Sequence, residues 1–134
     1  MSLENVEVVR LAADAMAQRG LDAFAAYCTD DIDHRAIEGP LDDRGPIQGK
    51  AEMRAYLQDW FDTFDDFRAE PVELIDAGED QVVAVLRIMG RAKLSGVETD
   101  LTYACAYTIR DGKIARGREY WTKEQALEAA GLRE

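Results

Sequence analysis

The sequence predicts an α+β domain in which an antiparallel sheet follows a group of helices. In the first half of the chain, apolar residues recur every three or four positions, which is the period of an amphipathic helix. After residue 67 the pattern changes to the alternation of apolar and polar residues that is typical of strands. Further on, Asp111-Gly112 separates two strand-like runs, and this pair tolerates the positive φ angles of a type I′ turn. Helices and strands that are grouped separately along a chain indicate the α+β class.

The composition limits the number of domains and the class of partner. A length of 134 residues without repeats or linkers predicts that residues 1–134 form a single domain. The formal net charge of −11 argues against a nucleic-acid partner and an anionic membrane surface, because both bind clustered Lys and Arg.

The cysteines and the hydropathy pattern predict a cytoplasmic protein. Cys28 and Cys105 have neither metal-site nor redox-motif spacing, so we expect no disulfide framework and a reducing compartment. The sequence shows no signal-peptide pattern and no apolar run long enough to span a bilayer.

Two helices and a short strand are predicted first. The first helix spans Leu3 to Gln18 and ends before Gly20, and the second spans Leu21 to Cys28. The strand runs from Ile32 to Ile37, and on it His34 shares a face with two apolar neighbours. The apolar face of the first helix consists of Leu3, Val6, Val9, Ala13 and Met16.

A loop and a third helix follow. The stretch from Glu38 to Gly49 contains three glycines and two prolines, which predicts a loop at the mouth of a cavity. The third helix is predicted from Lys50 to Asp65. Its buried stripe is predicted to be Met53, Leu57, Trp60 and Phe64.

About four antiparallel strands complete the predicted sheet between Phe67 and Trp121. Turn residues separate them at Gly78, at Ser95-Gly96 and at Asp111-Gly112. A short C-terminal helix is predicted to begin at residue 122 or 123. A curved sheet wrapped on about three helices leaves a cone that is open at one end, where we expect a ligand to bind.

The order of these elements, together with several local motifs, resembles the nuclear transport factor two-like superfamily and, within it, the SnoaL-like polyketide cyclases. The resemblance covers nearly the whole chain and implies the cone-shaped fold and a homodimer that pairs through its sheets. This fold hosts isomerases, hydrolases, dehydratases and simple binders, so the fold alone does not assign an activity. The motifs that carry the resemblance are Asp30-Asp31-Ile32-Asp33-His34, Gly49 before the helix with Trp60-Phe61, Ile75-Asp76-Ala77-Gly78, Arg110-Asp111-Gly112-Lys113-Ile114, and Arg118-Glu119-Tyr120-Trp121 with Glu124-Gln125-Ala126-Leu127.

The resemblance implies an acidic residue on the last strand, and Glu119 stands there. In SnoaL-like cyclases such a residue removes a proton next to a carbonyl. Limonene epoxide hydrolase relatives also need an Arg-x-Asp pair on the preceding strand, where this chain has Tyr103 and Cys105, which argues against epoxide hydrolysis. Relative to ketosteroid isomerases, Tyr103 could donate to an oxyanion, but Cys105 stands where an acid is expected.

Glu119, His34 and Tyr103 are therefore the candidate catalytic residues. Glu119 alternates with Gly117 and Trp121, so these residues share one strand face. Glu119 could instead pair with an arginine and hold the sheet to a helix. His34 could instead be a core or rim histidine bonded to a carboxylate, and a lone histidine does not make a metal site. We predict no metal and no cofactor.

Five further residues are predicted to line the pocket, although each also fits an ordinary core position. Two tyrosines on one strand face would supply an apolar wall and hydroxyl donors. The five residues are Trp60, Phe64, Cys105, Tyr107 and Trp121.

Three functions fit these patterns. The first is a cofactor-independent isomerase, cyclase or hydrolase that acts on a small hydrophobic carbonyl or polyketide-like compound, with Glu119 as acid or base and Tyr103 or His34 as oxyanion donor. The second is a binding protein that uses the same pocket without chemistry. The third is a structural or interaction module that binds a partner through its sheet face.

Overall fold

The computed structural model of the chain describes residues 2–37 and 45–131. Within these ranges it contains four helices and six strands, and the predicted α+β class is confirmed. The elements in order are α1 (Ser2–Arg19), α2 (Leu21–Ala25), β1 (Cys28–Arg35), β2 (Pro46–Gln48), α3 (Lys50–Thr63), β3 (Phe64–Asp76), β4 (Gln81–Ala92), β5 (Glu98–Arg110), β6 (Lys113–Tyr120) and α4 (Lys123–Ala129).

The six strands form one sheet in the order β2-β1-β6-β5-β4-β3. Strands β3 to β6 are the predicted antiparallel meander. The β5–β6 hairpin turns at Asp111 and Gly112, whose φ angles of 52° and 76° are both positive, as a type I′ turn requires.

The sheet is mixed rather than wholly antiparallel, because β1 pairs with β6 in the parallel direction. Strand β1 also begins at Cys28, four residues before the predicted start at Ile32, and α2 ends at Ala25. Cys28 therefore lies on a strand and not on a helix. The reason is tertiary: Cys28 pairs with Ile114, and the Ile114 N–H donates to the Tyr27 carbonyl, which draws this segment into the sheet.

Only part of the predicted loop between Glu38 and Gly49 can be compared. Residues 38–44 lie outside the described residues. The remainder contains β2, which pairs antiparallel with β1 at the edge of the sheet and was not predicted. Pro46 is tolerated because it is the first residue of an edge strand, where its missing N–H removes no hydrogen bond from the sheet interior.

Helix α3 is shorter than predicted, and its predicted stripe is confirmed in part: Met53 is buried, and Leu57 and Trp60 are partly buried and pack against core residues. It ends at Thr63, and Phe64 adopts an extended conformation because it pairs with Ala92 in the β3–β4 ladder. The residues of α3 that are buried are Met53 and Tyr56.

The helices lie on both faces of the sheet. Apolar residues of α1, α2 and α3 pack with one face, which we call the inner face, and form the main core. Helix α4 covers part of the outer face, where Ala126 and Leu127 pack on Val83 and Ala104. A capping box between Thr122 and Gln125 fixes the start of α4. No helix among the described residues is long and apolar enough to cross a membrane.

Candidate active site

Glu119 lies on the inner face of β6, near the C-terminal end of the strand. Alternation along β6 directs Gly117 and Glu119 toward the helices and Arg118 toward the outer side, where it pairs with Asp33. The Glu119 side chain is 8% exposed, so it is a nearly buried carboxylate that requires polar partners. The alternative interpretation required an arginine as the partner of Glu119, but the partners in the structure are Tyr56 and His34.

Two side chains from different elements hydrogen-bond the Glu119 carboxylate. The Tyr56 hydroxyl of α3 donates to it at 3.0 Å from Oε1 and 2.9 Å from Oε2. His34 of β1 brings its Nε2 to 2.6 Å from Oε2. The carboxylate of β6 is therefore joined to helix α3 and strand β1 through short, charge-assisted hydrogen bonds.

The surroundings of His34 indicate its tautomer. The His34 side chain is 2% exposed, and its buried Nδ1 has no hydrogen-bond partner among the described residues. An unpaired buried N–H is rarer in proteins than an unpaired acceptor. We therefore assign the proton to Nε2, which donates to Glu119, and leave Nδ1 as the bare acceptor.

The absence of a side chain at Gly117 makes room for His34. The two residues are partners in the β1–β6 register. A Cβ placed on Gly117 would overlap Nδ1 of the His34 ring and lie 2.9 Å from its Cε1. Glycine at this position lets the imidazole lie directly on β6, within reach of Glu119 two residues further along.

A cavity of about 70 Å³ opens beside this cluster, between the inner face of the sheet and helices α1 and α3. Its wall is mostly apolar. The polar residues in the wall are His34, Tyr56, Glu70, Tyr103, Tyr107 and Glu119.

Tyr103 places a second hydroxyl near Glu119. Because Cys105 is the register partner of Glu119, Tyr103 is its diagonal neighbour on the inner face, at a spacing of about 7–8 Å between backbones. Burial, and next the Glu119 carboxylate, raise the pKa of Tyr103 well above its usual value. Its hydroxyl therefore stays protonated and is a hydrogen-bond donor.

Cys105 lies between the two tyrosines of β5 but is fully buried and is not part of the cavity wall. Burial, and next Glu119, raise the pKa of the Cys105 thiol well above its usual value, which removes it as a nucleophile. Burial also raises the pKa of Tyr107, whose ring does line the cavity.

The structure brings together most, but not all, of the predicted site residues. Glu119, His34, Tyr103, Trp60 and Tyr107 line one cavity. Phe64 does not line it, because α3 ends one residue earlier; its ring instead stacks on Trp60 at a centroid distance of 6.0 Å.

Trp121 lies outside this cavity, and its prediction requires correction. The strand ends at Tyr120, so the alternation that would place Trp121 beside Glu119 stops one residue too early. The residue is 54% exposed and lines a surface groove with Arg35, Arg118 and Glu119, so Glu119 borders both this groove and the cavity.

Tyr56 is the functional residue that the sequence interpretation missed. It follows Met53 by three positions and precedes Trp60 by four, so it belongs to the same helix face as both. Helical spacing could have identified it as buried, and burial of a hydroxyl implies a hydrogen-bond partner. Among the described residues, no three His, Cys, Asp or Glu side chains are grouped as metal ligands.

Comparisons with known proteins agree with this architecture. Residues 8–117 match the family model of the SnoaL-like domain. A nuclear transport factor two-like protein from Burkholderia xenovorans LB400 is 25% identical, with a TM-score of 0.71 over 96% of this chain and 95% of that one. No curated protein shows significant similarity.

Two more distant structures contain small molecules. TerC, co-crystallized with polyporic acid, is 19% identical, with a TM-score of 0.74 over 96% of this chain and 98% of its own. A Mycobacterium tuberculosis protein in complex with estradiol-17beta-hemisuccinate is 14% identical, with a TM-score of 0.73 over 90% of this chain and 95% of its own. At these identities, the similarity shows the shared fold.

Proposed function

The chain belongs to the SnoaL-like domain family, and we propose that it is a cofactor-independent enzyme that moves a proton next to the carbonyl group of a small hydrophobic compound. One observation carries this proposal: a carboxylate held by Tyr56 and His34 lies in the wall of an apolar cavity. A carboxylate in such surroundings is suited to act as a general base.

In the proposed reaction, Glu119 takes a proton from the carbon beside the carbonyl group. The electron pair of the broken C–H bond forms a carbon–carbon double bond, and the carbonyl electrons move to the oxygen. Tyr103 donates a hydrogen bond to that developing oxyanion, which is the interaction that stabilises such transition states most. If the substrate has a carbon–carbon double bond between its β and γ carbons, the product of this step is a dienolate. Glu119 then returns the proton to the γ carbon, the double bond moves between the α and β carbons and the carbonyl group re-forms, which isomerises the compound.

The same first step also supports ring closure. If the carbanion-like carbon attacks a second carbonyl group of the same molecule, a carbon–carbon bond forms and an alkoxide is left. The proton held by Glu119 then passes to that alkoxide. Both outcomes require a single base, a single oxyanion donor and a site that excludes water, and neither consumes a cofactor.

Tyr56 and His34 act as positioning residues in this proposal. Their hydrogen bonds fix the orientation of the Glu119 carboxylate in the cavity wall. A base that is already oriented loses little entropy when the substrate binds. The apolar wall also strengthens each electrostatic contact, because the effective dielectric constant is low.

A binding protein without catalysis is the second candidate. It is favoured by the same two hydrogen bonds, since a carboxylate with satisfied partners is also a stable structural feature. The small molecules in the structures of TerC and the Mycobacterium tuberculosis protein support a ligand in this fold and do not distinguish binding from turnover.

A ligand screen followed by turnover assays separates the two candidates. Hydrophobic ketones, lactones, epoxides and polyketide-like aromatics are tested for a rise in melting temperature, and each hit is then assayed for product. Catalysis predicts product from the wild type and from the exposed control Glu124→Gln, but not from Glu119→Gln. A ligand that binds all three proteins and yields no product from any of them supports the binding protein.

We also propose that two chains pair through the outer face of the sheet, and that the protein is cytoplasmic. Helix α4 covers only the part of that face near β4, β5 and β6, which leaves the rest for a second copy. The two buried, unpaired cysteines support a reducing compartment. Light scattering coupled to gel filtration tests the first proposal, since a monomer at micromolar concentration would contradict it.

A further inference from the structure

The charges in the cavity wall are of one sign. Glu70 and Glu119 are its acidic residues, and no described lysine or arginine lines it. Glu70 lies at the mouth and comes within 4.0 Å of Arg87, so Glu119 is the carboxylate that decides the charge of the interior. His34 does not cancel this charge when its proton is on Nε2 and its Nδ1 is bare, as assigned above.

Aromatic rings form one side of the same cavity. Trp60, Phe61 and Phe67 line it, and the Phe64 ring, which does not, stacks with Trp60 and Phe67. The centroids of Trp60, Phe64 and Phe67 are 5.7 to 6.2 Å apart, and the planes are tilted by at most 27°. The three rings are therefore stacked on one another, and Trp60 and Phe67 are the two that line the cavity.

Four aspartates neighbour these aromatic residues along the chain. Asp59 and Asp62 flank Trp60 and Phe61 on α3, and Asp65 and Asp66 lie between Phe64 and Phe67. All four are exposed. Asp65 and Asp66 line a different surface groove together with Arg68 and Arg91, and Arg91 is paired with Glu98 at 2.9 Å. The net charge of −11, and a cavity wall that contains Glu70 and Glu119 but no described lysine or arginine, favour a cation over an anion.

We propose that the ligand of this cavity carries a positively charged nitrogen, in the form of a small alkylated ammonium group that rests on the Trp60 and Phe67 rings. The face of an aromatic ring is electron-rich and attracts a cation, and tryptophan does so most strongly. The inference rests on the proposed function for its choice of cavity, and it adds the charge and size class of the substrate.

The volume of the cavity fits a small head group. About 70 Å³ is roughly half the volume of an engineered cavity that takes up benzene. A methylated ammonium group or a short alkyl chain is of the right size, whereas a fused-ring compound would require the walls to move. The uncharged remainder of such a ligand would place its carbonyl group toward Glu119 and Tyr103.

Three probes of nearly equal shape test the charge. Choline, 3,3-dimethylbutan-1-ol and 3,3-dimethylbutanoate share a branched five-atom head and are cationic, neutral and anionic. Titration calorimetry or NMR titration with the wild type gives the three dissociation constants. We expect choline to bind about two- to thirty-fold more tightly than the alcohol, which is the range of one cation–aromatic contact, and the anion to bind least.

Matched variants locate the preference in the cavity. Trp60→Leu removes a ring and keeps apolar bulk, whereas Trp121→Leu removes the exposed tryptophan outside the cavity. The ratio of the choline and alcohol affinities should fall toward one in Trp60→Leu and stay unchanged in Trp121→Leu. If Trp60→Leu does not fold, Phe67→Leu serves the same purpose, with folding checked by circular dichroism.

The outcomes separate this inference from the proposed function, because binding is measured without turnover. The inference is overturned if the alcohol or the anion binds as tightly as choline, or if choline shows no binding at tens of millimolar. Either result leaves proton transfer by Glu119 to be judged by its own assay. A preference for choline in a protein without turnover would support the ligand class and contradict the enzyme.

Discussion

The imidazole of His34 lies against the backbone of Gly117, in space that any other residue would fill with a side chain. A Cβ on Gly117 would overlap Nδ1 and come within 2.9 Å of Cε1. This close approach places Nε2 at 2.6 Å from the Glu119 carboxylate. The orientation of Glu119 thus depends on the absence of a side chain at Gly117, two positions earlier on β6, because His34 occupies that space.

Gly117→Ala should therefore destabilise the protein through a clash with His34. The expected cost is about 1–3 kcal/mol of unfolding free energy, as for other overpacked sites. The cause can be isolated by a double-mutant cycle with His34→Ala, because removal of the imidazole relieves the overlap. Urea denaturation should give a smaller cost for Gly117→Ala in the His34→Ala background, with a coupling of about 0.5–3 kcal/mol. Equal costs in both backgrounds would show that the clash is not with His34.

Tyr56→Phe should remove the hydrogen bonds from the Tyr56 hydroxyl to Glu119 without creating a large cavity. Loss of a hydrogen bond to a charged, nearly buried partner is expected to cost about 1.5–3 kcal/mol. The control is Tyr27→Phe, because the Tyr27 ring packs at the edge of the main core and should cost under about 0.5 kcal/mol. Denaturation of both variants under identical conditions checks the difference, and similar costs would argue against the hydrogen bond.

Stability should fall as the solution is made alkaline. Burial raises the pKa of Cys28 from 9.0 to about 12 and raises the pKa values of Cys105, Tyr56, Tyr103 and Tyr107 above their usual values. Above about pH 9 the unfolded chain loses protons that the folded chain retains, so the free energy of unfolding decreases as pH rises. The contribution of these groups to the free energy of unfolding is therefore fully present below about pH 9 and is lost progressively above it.

This alkaline loss can be followed by two measurements. Urea denaturation at pH 8 and at pH 10.5 should show the lower stability at the higher pH. Difference absorbance should show that Tyr56, Tyr103 and Tyr107, whose pKa values are raised, ionise only when the protein unfolds. Normal ionisation of all tyrosines in the folded protein would contradict the buried placement of the site.

The two tryptophans should respond differently to quenchers and ligands. Trp121 is 54% exposed, whereas Trp60 lines the cavity. Acrylamide should quench the wild type efficiently and Trp121→Phe only weakly. A cavity ligand should still change the emission of Trp121→Phe and not that of Trp60→Phe. A ligand response that disappears in Trp121→Phe would place the binding site in the surface groove.

The sequence predicted best those features that local chemistry determines. The Asp111-Gly112 turn sets the first pairs of the β5–β6 hairpin, and the meander from β3 to β6 follows from alternation between turn residues. Beyond Ile109 the register shifts by one residue, and this irregularity, which the sequence did not predict, pairs Glu119 with Cys105 on the inner face. The pairing of Thr122 with Gln125 explains why a helix starts where the sequence predicted it.

The features that were missed depend on contacts between distant segments. Cys28 was predicted on a helix but lies on a strand, because β1 pairs with β6 in the parallel direction. No pattern near Cys28 indicates its partner Ile114. Phe64 leaves the helix because it pairs with Ala92. Tyr56 becomes a partner of Glu119 only when α3 packs on the sheet, so its role appears in three dimensions and not in the spacing alone.

The most direct test of the account is proton exchange at carbon. Small hydrophobic ketones such as cyclopentanone are incubated in deuterated buffer with the wild type, Glu119→Gln or Glu124→Gln, and the loss of the signals beside the carbonyl group is followed by proton NMR. We expect the wild type and Glu124→Gln to exchange these protons about 10²–10⁴-fold faster than Glu119→Gln, as expected for loss of a general base. Exchange at the same rate in the wild type and Glu119→Gln would contradict the assignment of Glu119 as the base.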